Sequence, residues 1–447
     1  MIRHLSLIVV LVVPAFALAE GPPPSQTEAL TLEQAVALAL EGNRTVRNAE
    51  LEVSKADDRL AAAKTHRLPS LNFNAFSSLL LQRIDFLFKQ GDFGTFPTGT
   101  PNPSQDVTIS TPRTFNLFVY ASADQPLSQL YRINLSVRLN ELNRQLAAED
   151  LQAHRQSITN DVKKAYFEVL QTQSALEATD ESIKLYRELD RVTGEYVLQL
   201  VALKSQGLEV KARLAKAEHD ALTLQNALSS QKENLNQLLG RAITTEFRAS
   251  PIPEMAPFEA DLAAAQERAR AQRPELKEAR LKLKQAELER RVKKAEYIPD
   301  LSLSYRYLSP FGIEFVPKNI SAVGLFLSWE PFDWGRKKRE LAEKTKTQQQ
   351  ANTSVEDAEA KVLLDVNTRF RKLQEARSSL HLSELSQETD REKLRVTSNR
   401  YSQKAALLDD VLEAQAALAQ SNHQYRQALA TFWTARADFE RAVGGDQ

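Results

Sequence analysis

Imidazole is the side chain best suited to hold a metal or move a proton near neutral pH, and five histidines, His66, His154, His219, His381 and His423, are spread along this 447-residue sequence beyond its apolar start. No two of them stand four residues apart, and no H-E-x-x-H occurs. His381 and Glu384, three apart, would share a helix face and could begin a metal site, but a single pair of that kind is ordinarily helix surface. The phosphate loop G-x-x-x-x-G-K-S/T, the dinucleotide fingerprint G-x-G-x-x-G and the nucleophile elbow G-x-S-x-G are all absent. There is no cysteine, which removes disulfides, thiolate metal sites, cysteine nucleophiles and N-terminal cysteine lipidation. The sequence therefore predicts no catalytic residue, no cofactor and no metal, and the chain is read as something other than an enzyme.

What remains is charge. Lys+Arg and Asp+Glu each number 58, so the chain has no net field with which to collect nucleic acid, and no nucleic-acid partner is expected. The basic run Arg336-Lys337-Lys338-Arg339 has two readings, a solvated helix start or a contact with lipid head groups. A hydrophobic share of 42% beside 26% charged residues excludes both wholesale disorder and a polytopic helical membrane protein. Residues 1–19 are the one long apolar run: Arg3 and His4, then Leu5 to Val13, then Ala17-Leu18-Ala19. That is the layout of a secretory signal peptide cut after Ala19, and Pro14 interrupts it too early for a membrane anchor.

The elements that would position any site follow from periodicity. Thr31 caps a helix whose apolar residues Leu32, Ala35, Val36, Ala39, Val46, Ala49, Val53, Ala56, Leu60 and Ala63 run on until Pro69. Leu71, Phe73 and Ala75 then alternate with Ser70, Asn72 and Asn74, a strand. Residues 83–114 hold four prolines and three glycines without helical period and are read as a long loop, after which Phe115 to Ser122 is a second strand. From Leu127 to Leu239 there is no proline and only Gly194 and Gly207, so this stretch predicts a long helical hairpin turning between those glycines.

The pattern then starts again. Leu262, Ala265, Ala269, Ala279, Leu281, Ala286, Lys294, Pro299 and Leu301 match Leu32, Ala35, Ala39, Ala49, Leu51, Ala56, Lys64, Pro69 and Leu71 at a constant offset of 230. Asp365, Glu413, Ala416, Leu418 and Gly444 match Asp161, Glu209, Ala212, Leu214 and Gly240 at an offset of 204. The missing 26 residues fit the extra loop of the first copy. The chain is thus read as an internal duplication. Residues 20–250 form a first repeat with its hairpin over 127–240. Residues 251–447 form a second, with strands over 299–330 and a hairpin over 335–444. The fold class expected is mainly α with a small β part.

In the second repeat Leu301, Leu303, Tyr305 and Tyr307 alternate with Ser302, Ser304 and Arg306, and Val323, Leu325, Leu327 and Trp329 alternate with Gly324, Phe326 and Ser328. Tyr305, Tyr307, Phe311, Phe315, Trp329, Phe332 and Trp334 are read as lying at or near strand ends, where they would anchor in a membrane interface. Four strands are too few for a sandwich, and in an exported protein the apolar face has another burial, in lipid, if the strands close into a barrel. A membrane barrel needs about eight strands or more, so two or more chains must contribute, and three would give about twelve around a channel. From Leu127 to the Gly194 region a continuous helix would run roughly 100 Å.

At this point the sequence resembles the TolC-type outer-membrane efflux proteins, the exit ducts of tripartite pumps and type I secretion. The residues that carry the resemblance are Leu32-Glu33-Gln34-Ala35-Val36 with Leu38-Ala39-Leu40 and Asn43, the junctions Leu68-Pro69-Ser70-Leu71 and Ile298-Pro299-Asp300-Leu301, Trp329-Glu330-Pro331-Phe332-Asp333 with Gly335, and Arg400-Tyr401 followed by Asp410-Val411-Leu412-Glu413-Ala414-Gln415. It implies a homotrimer with a 12-stranded barrel among outer-membrane lipids and a helical tunnel in the periplasm. It also implies a periplasmic adaptor (membrane fusion protein) and an inner-membrane transporter as partners, and passive passage of small molecules or polypeptides. The family closes its periplasmic end with polar contacts, and the matching positions here are Tyr401, Asp410 and Glu413. Asp410 and Glu413 would share a helix face and, repeated by a three-fold axis, make two acidic rings. Where the family often has glycine three residues after the tyrosine this chain has Lys404, and where its gating arginine falls it has Ala406. Lys404 substitutes for the latch if its side chain reaches the same carboxylates. The other reading of the acidic pair is a solvated face, and the other reading of the chain is a periplasmic coiled-coil adaptor or scaffold.

Overall fold

Thr31 opens the first helix by a reciprocal cap: its hydroxyl accepts from the Gln34 N–H at 3.2 Å, and the Gln34 side chain accepts from the Thr31 N–H at 2.9 Å. The computed structural model describes residues 28–111, 115–199, 203–251, 261–312, 316–403 and 405–445. The predicted signal peptide, Phe315 and Lys404 lie outside them, as does the side chain of Tyr401. In chain order the elements are β1 (Glu28–Leu30), α1 (Leu32–Gly42), α2 (Arg44–Thr65), β2 (Ser70–Leu79), β3 (Ile84–Phe88), β4 (Val107–Thr111), β5 (Phe115–Pro126), α3 (Leu130–Leu198) and α4 (Lys204–Leu238). There follow β6 (Phe247–Ala249), α5 (Leu262–Gln272), α6 (Pro274–Ala295), β7 (Asp300–Phe311), β8 (Ile320–Ser328), α7 (Arg336–Ser402) and α8 (Leu408–Val443). The protein is mainly helical with a small strand part.

Two departures from the periodicity have clear causes. The helix that the apolar pattern runs unbroken from Thr31 to Ala63 is interrupted at Asn43, whose backbone is extended (φ −68°, ψ 127°) and whose side-chain amide donates to the Leu238 carbonyl at 2.8 Å. Gly42 and Gly240 meet there backbone to backbone. A Cβ on Gly240, which has φ +73°, would lie 2.1 Å from the Gly42 carbonyl oxygen, so only glycine fits. In the second half the matching break is made by Pro274, the first residue of α6, which holds Arg273 before it in extended backbone (ψ 123°). The second departure is in residues 83–114, which are not loop throughout. β3 and β4 pair antiparallel from Ile84↔Thr111 to Phe88↔Val107, with Gly91, Gly94 and Gly99, all at positive φ, in the connection between them.

The chain folds as two units. The first takes in residues 28–43, 161–251 and 379–434. Its β1 and β6 pair parallel, Glu28↔Phe247 to Leu30↔Ala249, and pack on a core of Leu30, Val162, Tyr166, Val169 and Phe247, all buried. The fully buried Tyr166 hydroxyl lies 2.8 Å from both the Leu30 and the Ser250 carbonyl oxygens. Burial pushes its pKa up to about 12. Because the folded value is the higher one, this group favours folding fully below the unfolded value of about 10 and ceases to as pH rises towards 12. We therefore expect Tyr166→Phe to lower unfolding stability by about 1 kcal/mol at neutral pH. The gap should narrow between about pH 10 and 12, which denaturant titration of both proteins at each pH measures.

The second unit takes in residues 44–111, 115–160, 261–378 and 435–445. It contains a four-stranded antiparallel sheet in the order β2-β5-β7-β8, so β2 and β8 are its edges. Elsewhere in this unit Arg273 (3.1 Å from Asp365) and Arg369 (2.6 Å from Asp438) pair inside the helical packing, and Asn160 donates to Asp438 at 3.1 Å.

Candidate functional site

The register of the sheet sorts its residues onto two faces. On one lie Leu71, Phe73, Ala75 and Leu79 of β2, then Phe115, Leu117, Val119, Ala121 and Ala123 of β5. Leu301, Leu303, Tyr305, Tyr307 and Phe311 of β7 continue it, and Val323, Leu325 and Leu327 of β8 end it. Four strands thus present one nearly continuous apolar face. Nothing among the described residues covers its margins: Leu71 is 79% exposed, Phe73 72%, Val323 70% and Leu325 68%. A soluble protein rarely leaves so many large apolar side chains open in one patch. The strands are 10, 12, 12 and 9 residues long, close to the roughly 9–11 residues with which a tilted strand crosses a hydrocarbon core.

The opposite face carries Asn72, Asn74, Ser122, Asp124, Ser304 and Arg306, with Phe76, Phe118 and Phe326 among them. A polar network crosses it. Ser304 donates to the Asp124 carboxylate, and the Arg306 guanidinium is bonded to the Tyr120 hydroxyl and lies 3.7 Å from Asp124. Sequence alternation alone locates these residues on one face but gives no hint of their partners, which sit on a neighbouring strand 180 and 186 positions away.

The aromatic residues divide by position. Phe311 ends β7 near one rim, level with Leu117 and Ser77 and two residues in from the Phe115–Leu79 pair. Trp329, Phe332 and Trp334 follow β8 at the other rim, all exposed, with the Phe332 and Trp334 rings edge-on at 4.8 Å. Tyr305 and Tyr307 are not at a strand end: β7 runs from Asp300 to Phe311, longer than its alternating core, and leaves both near its middle. Tyr307 donates its hydroxyl to Asn319 at 2.7 Å. After Trp334, 89% exposed and held at φ +57°, Gly335 (φ +84°) turns the chain into α7, capped by the Asp333 carboxylate, which accepts from Lys337 N–H at 2.9 Å and Gly335 N–H at 3.0 Å. Of the basic run, Arg336 pairs with Glu330 at 2.6 Å and the buried Lys337 ammonium donates to the Glu330 carbonyl at 3.0 Å, whereas Lys338 and Arg339 are exposed.

Asp410 and Glu413 lie in the first two turns of α8, in the first unit, both exposed beside the buried Val411, Leu412 and Ala414. Asp410 has work the sequence reading missed: its carboxylate accepts the Leu407 N–H at 2.8 Å, capping the helix start. At the other tip, 204 residues earlier, the Gln206 side chain accepts the Leu203 N–H at 3.0 Å in the same way. The signal was present in both sequences, a side-chain acceptor three residues after the last non-helical position. Tyr401 is in the last turn of α7. His381 and Glu384 are 4.0 Å apart on an exposed helix face, and among the described residues no cluster of three or more potential metal ligands comes together. Among those residues no helix is long and apolar enough to cross a membrane.

Over residues 35–241 and 265–445 the chain matches the family model described as outer membrane efflux protein. Among curated proteins, none matches. The fold is similar to that of a membrane protein from Pseudomonas aeruginosa, at 17% identity and a TM-score of 0.75, over 94% of this chain and 91% of that one. It is equally similar to the CmeC outer membrane channel of Campylobacter jejuni, at 15% identity and TM-score 0.75, over 93% and 85% of the two chains. The open state of the MtrE outer membrane channel of Neisseria gonorrhoeae matches at 18% identity and TM-score 0.71, over 93% and 89%.

Proposed function

The chain belongs to the outer membrane efflux protein family, and from that premise we propose that it is the exit duct of a tripartite efflux pump or a type I secretion system. Three copies pool their four-stranded sheets into one 12-stranded barrel. The apolar face meets outer-membrane lipid, and the face with Asp124 and Arg306 lines the lumen. The long helices, 69 residues in α3 and 67 in α7, or roughly 100 Å each, form a passage across the periplasm. Phe311 at one rim and Trp329, Phe332 and Trp334 at the other rest in the two interfaces. In the same reading the chain is a duplication of two helix–strand–hairpin halves, exported by residues 1–19.

The observation that carries this reading is the uncovered apolar face with its two unpaired edges. A lone copy would leave both the face and the edge N–H and C=O groups unsatisfied in lipid, and closure with further copies satisfies both. Asp410 and Glu413, with Tyr401 and Lys404 near them in sequence, form the periplasmic aperture. A periplasmic adaptor and an inner-membrane transporter deliver the cargo, small molecules or polypeptides, which passes without chemical change. The test is ion conductance from the purified oligomer in planar lipid bilayers. Stepwise conductance is expected, and a silent, monomeric, water-soluble protein would overturn the proposal.

A further inference from the structure

The first unit holds a recess of about 850 Å³, open to solvent on one side, within the range of about 300–1,000 Å³ typical of small-molecule sites. Its apolar walls include Phe167, Leu170, Leu429 and Trp433, and the Phe167 and Trp433 rings stand 5.7 Å apart. Arg426, on α8, lines the same space. Among the described residues its Nε is sealed from solvent with no hydrogen-bond partner, and the one acceptor for its guanidinium is the Ser174 carbonyl, at a long 3.4 Å. No carboxylate among the described residues lies within ion-pair distance of it. Of the two carboxylates in the lining, Glu177 is taken by Arg248 at 2.8 Å, and Glu384 is largely exposed and lies 4.0 Å from His381. Burial alone draws the Arg426 pKa down, with no negative group acting against it.

A half-buried guanidinium without an anion is costly, because desolvation is not offset by attraction. Surface arginines avoid that cost by staying in water, yet this one is turned into an aromatic recess. We propose that the cavity binds an amphipathic organic anion, a single carboxylate or sulfonate on an aromatic or branched apolar body, with Arg426 holding the anionic group and Phe167 and Trp433 flanking the body. The site is separate from the residues assigned to the aperture and to the membrane face, and it stands whether or not the chain conducts.

Equilibrium dialysis tests it, with the full chain purified in a non-ionic detergent and naphthalene-2-sulfonate as the probe. Saturable binding of one probe per chain is expected, with Arg426→Gln weakening it at least about ten-fold, the worth of a charged hydrogen bond. The uncharged naphthalene-2-sulfonamide should bind comparably weakly to the unaltered protein. Ala430→Phe, which puts a bulky ring into the recess while leaving Arg426 in place, should weaken binding with helix content unchanged by circular dichroism. No saturable binding, or equal affinity in the Arg426→Gln protein, would overturn the proposal. So would a third outcome: binding only to dissociated protomers, with Arg426→Gln weakening assembly, which would assign the cavity to a carboxylate of a second copy.

Discussion

Leu325→Arg is expected to remove the protein from the outer membrane, while Gly324→Arg, one residue away, leaves it there. The two positions are neighbours in β8 on opposite faces of the sheet. Leu325 is 68% exposed on the apolar face and pairs with Leu303, well inside the strand. An arginine facing lipid near the midplane costs about 2–4 kcal/mol, and a closed trimer incurs it three times. Gly324 belongs to the polar face, pairs with Ser304 and has open space where a side chain would be built. An arginine there would reach water in the lumen, near Asp124. The measurement is the amount of heat-modifiable oligomer in the outer-membrane fraction. Equal loss from both variants would mean that the strand tolerates no long charged side chain at all, and equal survival would mean that the apolar face does not meet lipid.

How much of this was legible beforehand depends on the range of the interactions concerned. The sheet face was legible, because alternation along Leu301–Tyr307 and Val323–Trp329 is a local signal and the pleat turns it directly into a face. Two things obscured the rest of the β structure. β3 is a run of Ile84, Phe86, Leu87 and Phe88 with one charge and little alternation, set among glycines and prolines that signal loop. β1 and β6 are three residues each and pair across more than 200 positions, with no periodicity to find. The break at Asn43 was hidden for the same reason, since its cause is the Leu238 carbonyl 195 residues on. By contrast, Pro274 is a local signal for the second break that the apolar pattern alone outweighs. The Tyr305 and Tyr307 positions show the limit of reading strand ends from sequence: the alternation stops at Tyr307, but the ladder continues through Leu308 to Phe311 because β5 extends alongside to pair with it.

At the second hairpin tip, removing charge without removing the cap separates what folding needs from what the proposed aperture needs. Capping the start of α8 needs an acceptor three residues after Leu407, and the matched position at the first tip fills that role with the neutral Gln206 at 3.0 Å. The negative charge of Asp410 is therefore surplus to the cap, and so is that of Glu413, which is exposed and makes no ion pair among the described residues. Surplus carboxylates on one helix face, repeated three times about an axis, would concentrate cations and slow the passage of anions. Asp410→Asn with Glu413→Gln keeps an acceptor at both positions, and Asp410→Ala with Glu413→Ala removes them. Both double variants should lower the cation-over-anion permeability ratio by about five-fold, since a unit charge about 4 Å from a permeating ion is worth about 1 kcal/mol in water. The alanine pair should also raise conductance as the tip loosens, and lower thermal stability by about 1 kcal/mol through loss of the cap. Reversal potentials in a salt gradient across a planar bilayer, with the single-channel conductance, measure all of this. If neither double variant changes selectivity or conductance, the acidic pair is a solvated helix start and the constriction lies elsewhere in the passage.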